Sequence, residues 1–299
     1  MTVKRVAVTG GNGRIGGAII EELNDHGYWT VNLNRGKRQS RVVEDDASGA
    51  DAYVQTQMLD PGNVYGAVAE SDVDAIVHMA SIPNPTTNVG YETYESNVMS
   101  TYHVLETAAE LDLEAAVVPS SINVMGSLFQ NPPIEVEYLP VDEQHPVTPR
   151  DPYATSKHNI EVTADAFGRR QGSPLRIASL RYPWVATTEE LQRTFAEGDR
   201  SLVAVGEDSA EFTRDTLFTY LHVDDAATVA RRAVEADFEG HERFWAVADD
   251  TTSAAPTADL VREYYPDAEV RESFEKRQAL VTTAKARDLL GWEPTHSWA

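Results

Sequence analysis

Through the first 185 residues of the 299-residue chain, short apolar, β-branched runs alternate with longer segments whose apolar residues recur at helical spacing. The short runs are RVAVTG (5–10), WTVNLN (29–34), AYVQTQ (52–57), DAIVHMA (74–80), EAAVVPSS (114–121) and LRIASLRY (175–182), and they predict strands. Between them lie GRIGGAIIEELNDHG, PGNVYGAVAES, ESNVMSTYHVLETAAELD and DPYATSKHNIEVTADAFGRR, which predict helices. Repeated strand–helix alternation predicts an α/β fold, a doubly wound parallel sheet with helices on both faces. After residue 185 the texture changes to a charged helix-like stretch, an apolar return at LFTYLHVDDAATVARRAVE and a polar tail ending LLGWEPTHSWA. The predicted division is therefore a large domain over 1–185, joined again by about 217–248. A smaller mixed α/β domain for the substrate then takes 186–216 and 249–299.

Composition changes the picture in two ways. With 41% hydrophobic residues the chain can build a real core, but 48 acidic residues face 25 basic ones, a formal net charge of −23. Five of the basic residues are lysines, so the other 20 are arginines, and the acids are spread along the chain rather than massed in a tail. An acid-coated, lysine-poor surface resembles that of halophilic proteins. It predicts self-repulsion at low salt and argues against nucleic acid or an anionic membrane as partner. Cysteine is absent, which excludes disulfides, a thiol nucleophile and cysteine-ligated zinc, and no metal site is expected. The opening VKRVAVTG reads as a strand rather than a signal peptide, and no apolar stretch approaches membrane-spanning length. The expectation is a soluble, cytoplasmic protein.

Two local patterns carry candidate chemistry. In VAVTGGNGRIGGAI, Gly10, Gly13 and Gly16 fall at G-x-x-G-x-x-G spacing between a strand and a helix. Glycines there permit a tight turn and let backbone N–H groups approach a pyrophosphate at the helix N-terminus, so the segment predicts a Rossmann-like dinucleotide site. In DPYATSKHN, Tyr153 and Lys157 are four residues apart and share one face of a helix. An ammonium beside a phenol favours the phenolate, which makes the pair a candidate proton-transfer device. The spacing by itself is equally that of a surface tyrosine and lysine.

Taken together, the motifs resemble those of the extended short-chain dehydrogenase/reductases, the NAD-dependent epimerase/dehydratase family, over nearly the whole chain. TGGNGRIG is similar to the family's T-G-x-x-G-x-x-G, VHMAS (77–81) to V-H-x-A-A, and SNVMSTYHVLETA (96–108) to N-V-x-G-T-x-x-V-L-E-A. SSINVMG (120–126) resembles S-S-x-x-V-Y-G, LPVDEQHPVTPRDPYATSK resembles D-E-x-x-P…P-Y-x-x-S-K, and TYLHVDDAA resembles Y-x-H-V-D-D-V-A. The resemblance implies that Tyr153 is the general acid/base, that Lys157 tunes it and binds the nicotinamide ribose, and that Ser121 hydrogen-bonds the reacting oxygen. It implies a cofactor path along Gly10, Gly13, Arg14, Ile15 and Gly16, then Asn34, Arg35 and Arg38, then Gln57 and Met58. The path continues through Met79, Ala80, Ser81 and Asn97 to Tyr153, Lys157, Tyr182 and Pro183. Substrate contacts are expected from Ser81, Ser121, Asn123, Tyr153, Trp184 and Arg214. Relatives often dimerise through the helices of SNVMSTYHVLETA and of Tyr153, which implies a homodimer.

Departures from the family pattern narrow the reading. Sugar-nucleotide dehydratases carry an Asp–Glu pair after the catalytic Ser/Thr; Ile122 and Asn123 stand here, which rejects dehydration. The Arg-Asp-Phe that grips a nucleotide diphosphate aligns with Phe218, Thr219 and Tyr220, and an asparagine of the 4-epimerases aligns with Trp184. Arg214 is a possible substitute, and the weight moves toward a smaller, sugar-like substrate. The aspartate with which NAD users hold the adenosine ribose is Asn34, with Arg35 and Arg38 nearby, so NADP is favoured slightly over NAD. The expected activity is hydride transfer between NAD(P) and a secondary alcohol or ketone of a small molecule. The alternatives are a nucleotide-sugar 4-epimerase with a retained NAD, and a dinucleotide-binding protein without turnover.

Overall fold

The structure, a computed structural model, describes residues 3–36, 49–83, 88–126, 134–170, 175–207 and 214–299. Seven parallel strands form its central sheet: β1 (Arg5–Thr9), β2 (Trp29–Asn34), β3 (Ala52–Gln55), β4 (Ala75–His78), β5 (Ala115–Ser121), β6 (Arg176–Tyr182) and β7 (His241–Trp245). Their order is β7-β6-β5-β4-β1-β2-β3, with Val6 in register with Thr30 on one side and Ala75 on the other. Successive strand residues point to opposite faces, and both faces are buried. Val6, Val8, Ala75, Val77 and Leu180 enter one apolar cluster, while Ala7, Ile76, Val118 and Ile177 enter the other.

Helices cover the two faces. On the first lie α1 (Arg14–Asp25) and α5 (Val223–Glu235). α1 buries Gly16, Ile19, Ile20 and Leu23, a stripe of one-turn spacing. On the second lie α2 (Pro61–Ser71), α3 (Gly90–Glu110) and α4 (Pro152–Gly168). A second core, built from Ile122, Val124, Met125, Leu139, Val141, Leu217, Phe218, Trp245, Val247, Leu260 and Leu280, forms the smaller lobe. Leu217, Phe218, Trp245 and Val247, which the expected division gives to the larger domain, pack in this second core. Helix Ala284–Leu290 sends Ala286 and Leu290, with Trp292, into the cluster of α1 and α5, so the chain returns to the larger lobe before it ends. Among the described residues no helix is long and apolar enough to cross a membrane.

Candidate active site

In an open parallel sheet, ligands bind outside the carboxyl ends of the strands where the order reverses, which here is between β1 and β4. A cleft of about 570 Å³ lies there. Its walls are the loop after β1 (Gly10, Gly13, Arg14, Ile15, Gly16), the end of β4 (Met79, Ser81), the end of β5 (Ser121, Asn123) and the end of β6 (Tyr182, Pro183, Trp184), with Tyr153 and Lys157 of α4. Two glycines are required by close approach. Gly10 has φ +70°, and a Cβ there would stand 2.9 Å from Ala80 N; a Cβ on Gly16 would stand 2.3 Å from Gly10 O. A loop this tight against the start of α1 leaves its backbone exposed to a pyrophosphate, so these residues fit a dinucleotide.

The reactive groups are held from three elements. The Asp151 carboxylate caps α4 by accepting Ala154 N at 2.8 Å, and Pro152 fills the first turn, so Tyr153 starts the helix with Lys157 one turn below. β5 ends in Ser121, whose hydroxyl donates to Asn123 Oδ1 at 2.9 Å, accepts Asn123 N at 3.2 Å and hydrogen-bonds the Tyr153 phenol. Lys157 Nζ donates to Pro119 O at 2.9 Å and Ser81 Oγ at 3.2 Å, and lies 5.5 Å from the Tyr153 ring centroid.

The electrostatics differ from the expectation that Lys157 favours the phenolate. Both groups are almost fully buried. Within the chain itself, burial pushes the Tyr153 phenol up to about 12, with Ser121 opposing, and pushes the Lys157 ammonium down to about 7. Below them His78 is fully enclosed; burial, then the Lys157 charge, push its pKa down to about 3, so its ring is neutral. Thr9 Oγ1 accepts Met79 N and Ala80 N, each at 3.1 Å, and therefore turns its own hydrogen to His78 Nδ1 at 2.7 Å. His78 Nε2 then donates to Ser100 Oγ at 3.3 Å, and the chain fixes the Met79–Ser81 wall.

Several expected residues stand outside the cleft lining. Asn97 is buried and pins the strand-four loop, its Oδ1 accepting Ile82 N at 2.7 Å and its Nδ2 donating to Ile82 O and Ser156 Oγ at 3.1 Å. Met58 is a core residue whose carbonyl accepts from His103 Nδ1 at 2.9 Å, and Ala80 backs Gly10. Asn34 Oδ1 accepts Arg35 N at 2.7 Å, and the Arg35 side chain is exposed. Gln57 lines a separate cavity beside β3 and α2. Arg214 is half-exposed, 3.8 Å from Asp215. Arg38 lies outside the described residues. The cleft also takes in residues the motifs did not single out, Pro83, Pro119, Val185 and Thr216 among them; Ile122 and Thr219, noted only as counterparts of lost acidic residues, face it too.

The sequence profile of the NAD dependent epimerase/dehydratase family matches residues 6–248. The chain belongs to that family. Among curated members, a protein of Methanocaldococcus jannaschii is 30% identical over 182 residues, 59% of this chain; the match spans only 54% of that protein's length. The L-arabinose 1-dehydrogenase (NAD(P)(+)) of Haloferax volcanii is 27% identical over 239 residues, 78% of this chain and 83% of that one. A UDP-glucose 4-epimerase of Rhizobium meliloti is 26% identical over an alignment of 336 positions, covering all of this chain and 95% of that one. The solved structure of MoeE5 with UDP-glucuronic acid and NAD superposes with a TM-score of 0.68 at 18% identity, covering 98% of this chain and 94% of that one, and so shares the fold.

Proposed function

We propose that the protein is an NAD(P)-dependent dehydrogenase acting on a secondary alcohol or ketone of a small, sugar-like substrate. The observation that carries this reading is the meeting of Ser121, Tyr153 and Lys157 in the cleft that the glycine loop opens. Gly10, Gly13 and Gly16 would hold the dinucleotide's pyrophosphate, and Lys157 with Ser81 would hold its nicotinamide ribose. A bound oxidised nicotinamide would supply a hydride acceptor and a positive charge that lowers the Tyr153 phenol from about 12. Tyr153 Oη takes the substrate hydroxyl's proton in oxidation and returns it in reduction, and the Ser121 hydroxyl orients the reacting oxygen. Ser81 Oγ and Pro119 O hold the Lys157 ammonium 5.5 Å from the Tyr153 ring centroid, where it tunes the phenol.

The rest of the lining supports a compact polyhydroxy substrate. Asn123, Thr216 and Thr219 supply uncharged donors and acceptors, and Trp184, half-buried against Phe195 at 5.8 Å, offers an aromatic wall. Phe218 and Tyr220 are buried in apolar clusters, and of the three residues leading into the HVDD segment only Thr219 faces the cleft. NADP is expected to serve at least as well as NAD. The exposed strip of Tyr91, Tyr94, Met99 and Tyr102 on α3, beside Val162 on α4, supports a homodimer through that face. The second reading is a 4-epimerase that keeps its dinucleotide, favoured by full-length similarity to the Rhizobium enzyme.

One screen separates them: free aldoses, sugar phosphates and UDP-sugars, each with NAD and NADP in molar KCl. Steady accumulation of reduced dinucleotide with a free or phosphorylated sugar is the expected result. Interconversion of UDP-sugars without net reduction would replace the dehydrogenase reading with the epimerase one.

A further inference from the structure

The Arg14 side chain crosses the dinucleotide cleft. Arg14 is the first residue of α1 and belongs to the glycine-loop wall. Its guanidinium leaves that wall, Nη1 donating to Val185 O and Nη2 to Glu190 Oε1, both at 2.7 Å. These partners lie 171 and 176 residues further along the chain, and Val185 is part of the facing wall with Tyr182 and Trp184.

The charge arrangement is unusual for a helix start. The dipole of α1 makes its first turn unfavourable for a cation, and that turn contains no acidic residue of its own. The compensating anion comes from across the cleft and is built in advance. Glu190 Oε2 accepts Thr187 N at 3.0 Å while Glu190 N donates to Thr187 Oγ1 at 3.3 Å, a capping box that fixes the carboxylate independently of Arg14. The Thr187 N–H, with Arg14 adding to it, holds the Glu190 carboxyl below its usual range, so the partner is an anion at neutral pH. The pyrophosphate at the start of α1 is a second anion beside the same guanidinium.

We propose that the Arg14–Glu190 pair is a latch across the dinucleotide cleft, one that must open for the cofactor to enter or leave and so sets its residence time. The inference rests on the cofactor reading above and concerns release of the dinucleotide rather than the chemistry on the sugar. It makes cofactor exchange sensitive to salt, because the pair is partly exposed, with side chains 44% and 23% accessible.

The test is displacement of NADPH, and separately NADH, from the loaded full-length protein by excess oxidised dinucleotide, followed by nicotinamide fluorescence in stopped flow. Glu190→Gln is the informative variant, because its carboxamide oxygen still accepts the Thr187 N–H while the charge is gone; Arg14→Gln is the second. Release from Glu190→Gln is expected to be roughly fivefold faster than from wild type, the kinetic equivalent of an ion pair of this exposure. Arg14→Gln should be at least as fast, and molar KCl should accelerate wild type while leaving Glu190→Gln nearly unchanged. A Glu190→Gln release rate within about twofold of wild type, on that same scale, overturns the latch even if Arg14→Gln weakens binding. Faster release in a protein that oxidises no sugar keeps the latch and overturns only the dehydrogenase reading. Wild-type protein that binds neither dinucleotide overturns both.

Discussion

In the proposed reading, Asn34 and Arg35 are the residues that choose between NADP and NAD. Asn34 ends β2, where it presents no charge against a 2′-phosphate, and the exposed Arg35 follows it. A 2′-phosphate paired with Arg35 gains charge-assisted hydrogen bonds of about 1.5–3 kcal/mol, roughly ten- to a hundredfold in affinity. Arg35→Ala should therefore lower kcat/KM for NADP selectively, and Asn34→Asp should swing the preference to NAD, both measured at one fixed salt concentration. A wild-type preference for NAD above about tenfold that Arg35→Ala leaves unchanged would remove these residues from ribose recognition. At this scale, what was readable was proximity: the glycine loop, Ser121, Tyr153 and Lys157 line one cleft. The resting protonation of Tyr153 and Lys157 was not, because it depends on how completely α4 is enclosed and not on the four-residue spacing. Thr216 carries no motif, and Thr219 was read only for the charge it lacks; both reach the cleft through the fold of the smaller lobe.

At the scale of elements, α4 is fixed by a buried ion network one turn beyond Lys157. Glu161 accepts from Ser120 Oγ at 2.6 Å on β5 and from Arg181 Nε and Nη2 at 2.8 Å on β6, with Arg243 Nε at 3.0 Å from β7. Burial alone would raise the Glu161 carboxyl, but Arg181, Ser120 and Arg243 outweigh it and hold it below the usual range. A carboxyl lowered by folding contributes stability that is complete above its unfolded pKa and lost as pH falls through the folded one. Glu161→Gln leaves two arginines with reduced compensation and should destabilise the protein by about 3–5 kcal/mol at neutral pH. The gap from wild type should narrow in denaturant titrations below pH 4.5, the carboxyl's reference value. A gap that stays constant with pH would mean that the charge of Glu161 is not what holds α4. Among the described residues, the six central-sheet strands and the four long helices before residue 185 were legible because their apolar periodicity runs unbroken. β7 was not among the strands read, since HERFW places three charged or titratable residues before its two apolar ones. The sheet supplies what the pattern lacks: Arg243 is taken up by Glu161 and Asp165, and His241 by Asp165 and Ser179. The return of Ala284–Leu290 to the larger lobe was hidden for a related reason, its two buried positions being set by long-range packing in a short, polar tail.

For the whole molecule, the net charge of −23 predicts a stability that depends on salt. Added salt screens the mutual repulsion of exposed carboxylates, so the melting temperature should climb as KCl rises toward the molar range. A melting temperature flat between low and molar salt would remove the salt-adapted reading and leave the acidic surface without a role in stability. The doubly wound sheet was legible from strand–helix alternation, because it follows from connectivity. The central claim, proton transfer by Tyr153 in a dinucleotide cleft, is tested most directly by comparing wild type with Tyr153→Phe in molar KCl on the best substrate. The account predicts a fall in kcat of about 10²–10⁴ with dinucleotide affinity nearly unchanged, since only the proton-transferring oxygen is lost. A variant that keeps more than about a tenth of the wild-type kcat, well short of what acid–base catalysis contributes, would contradict it.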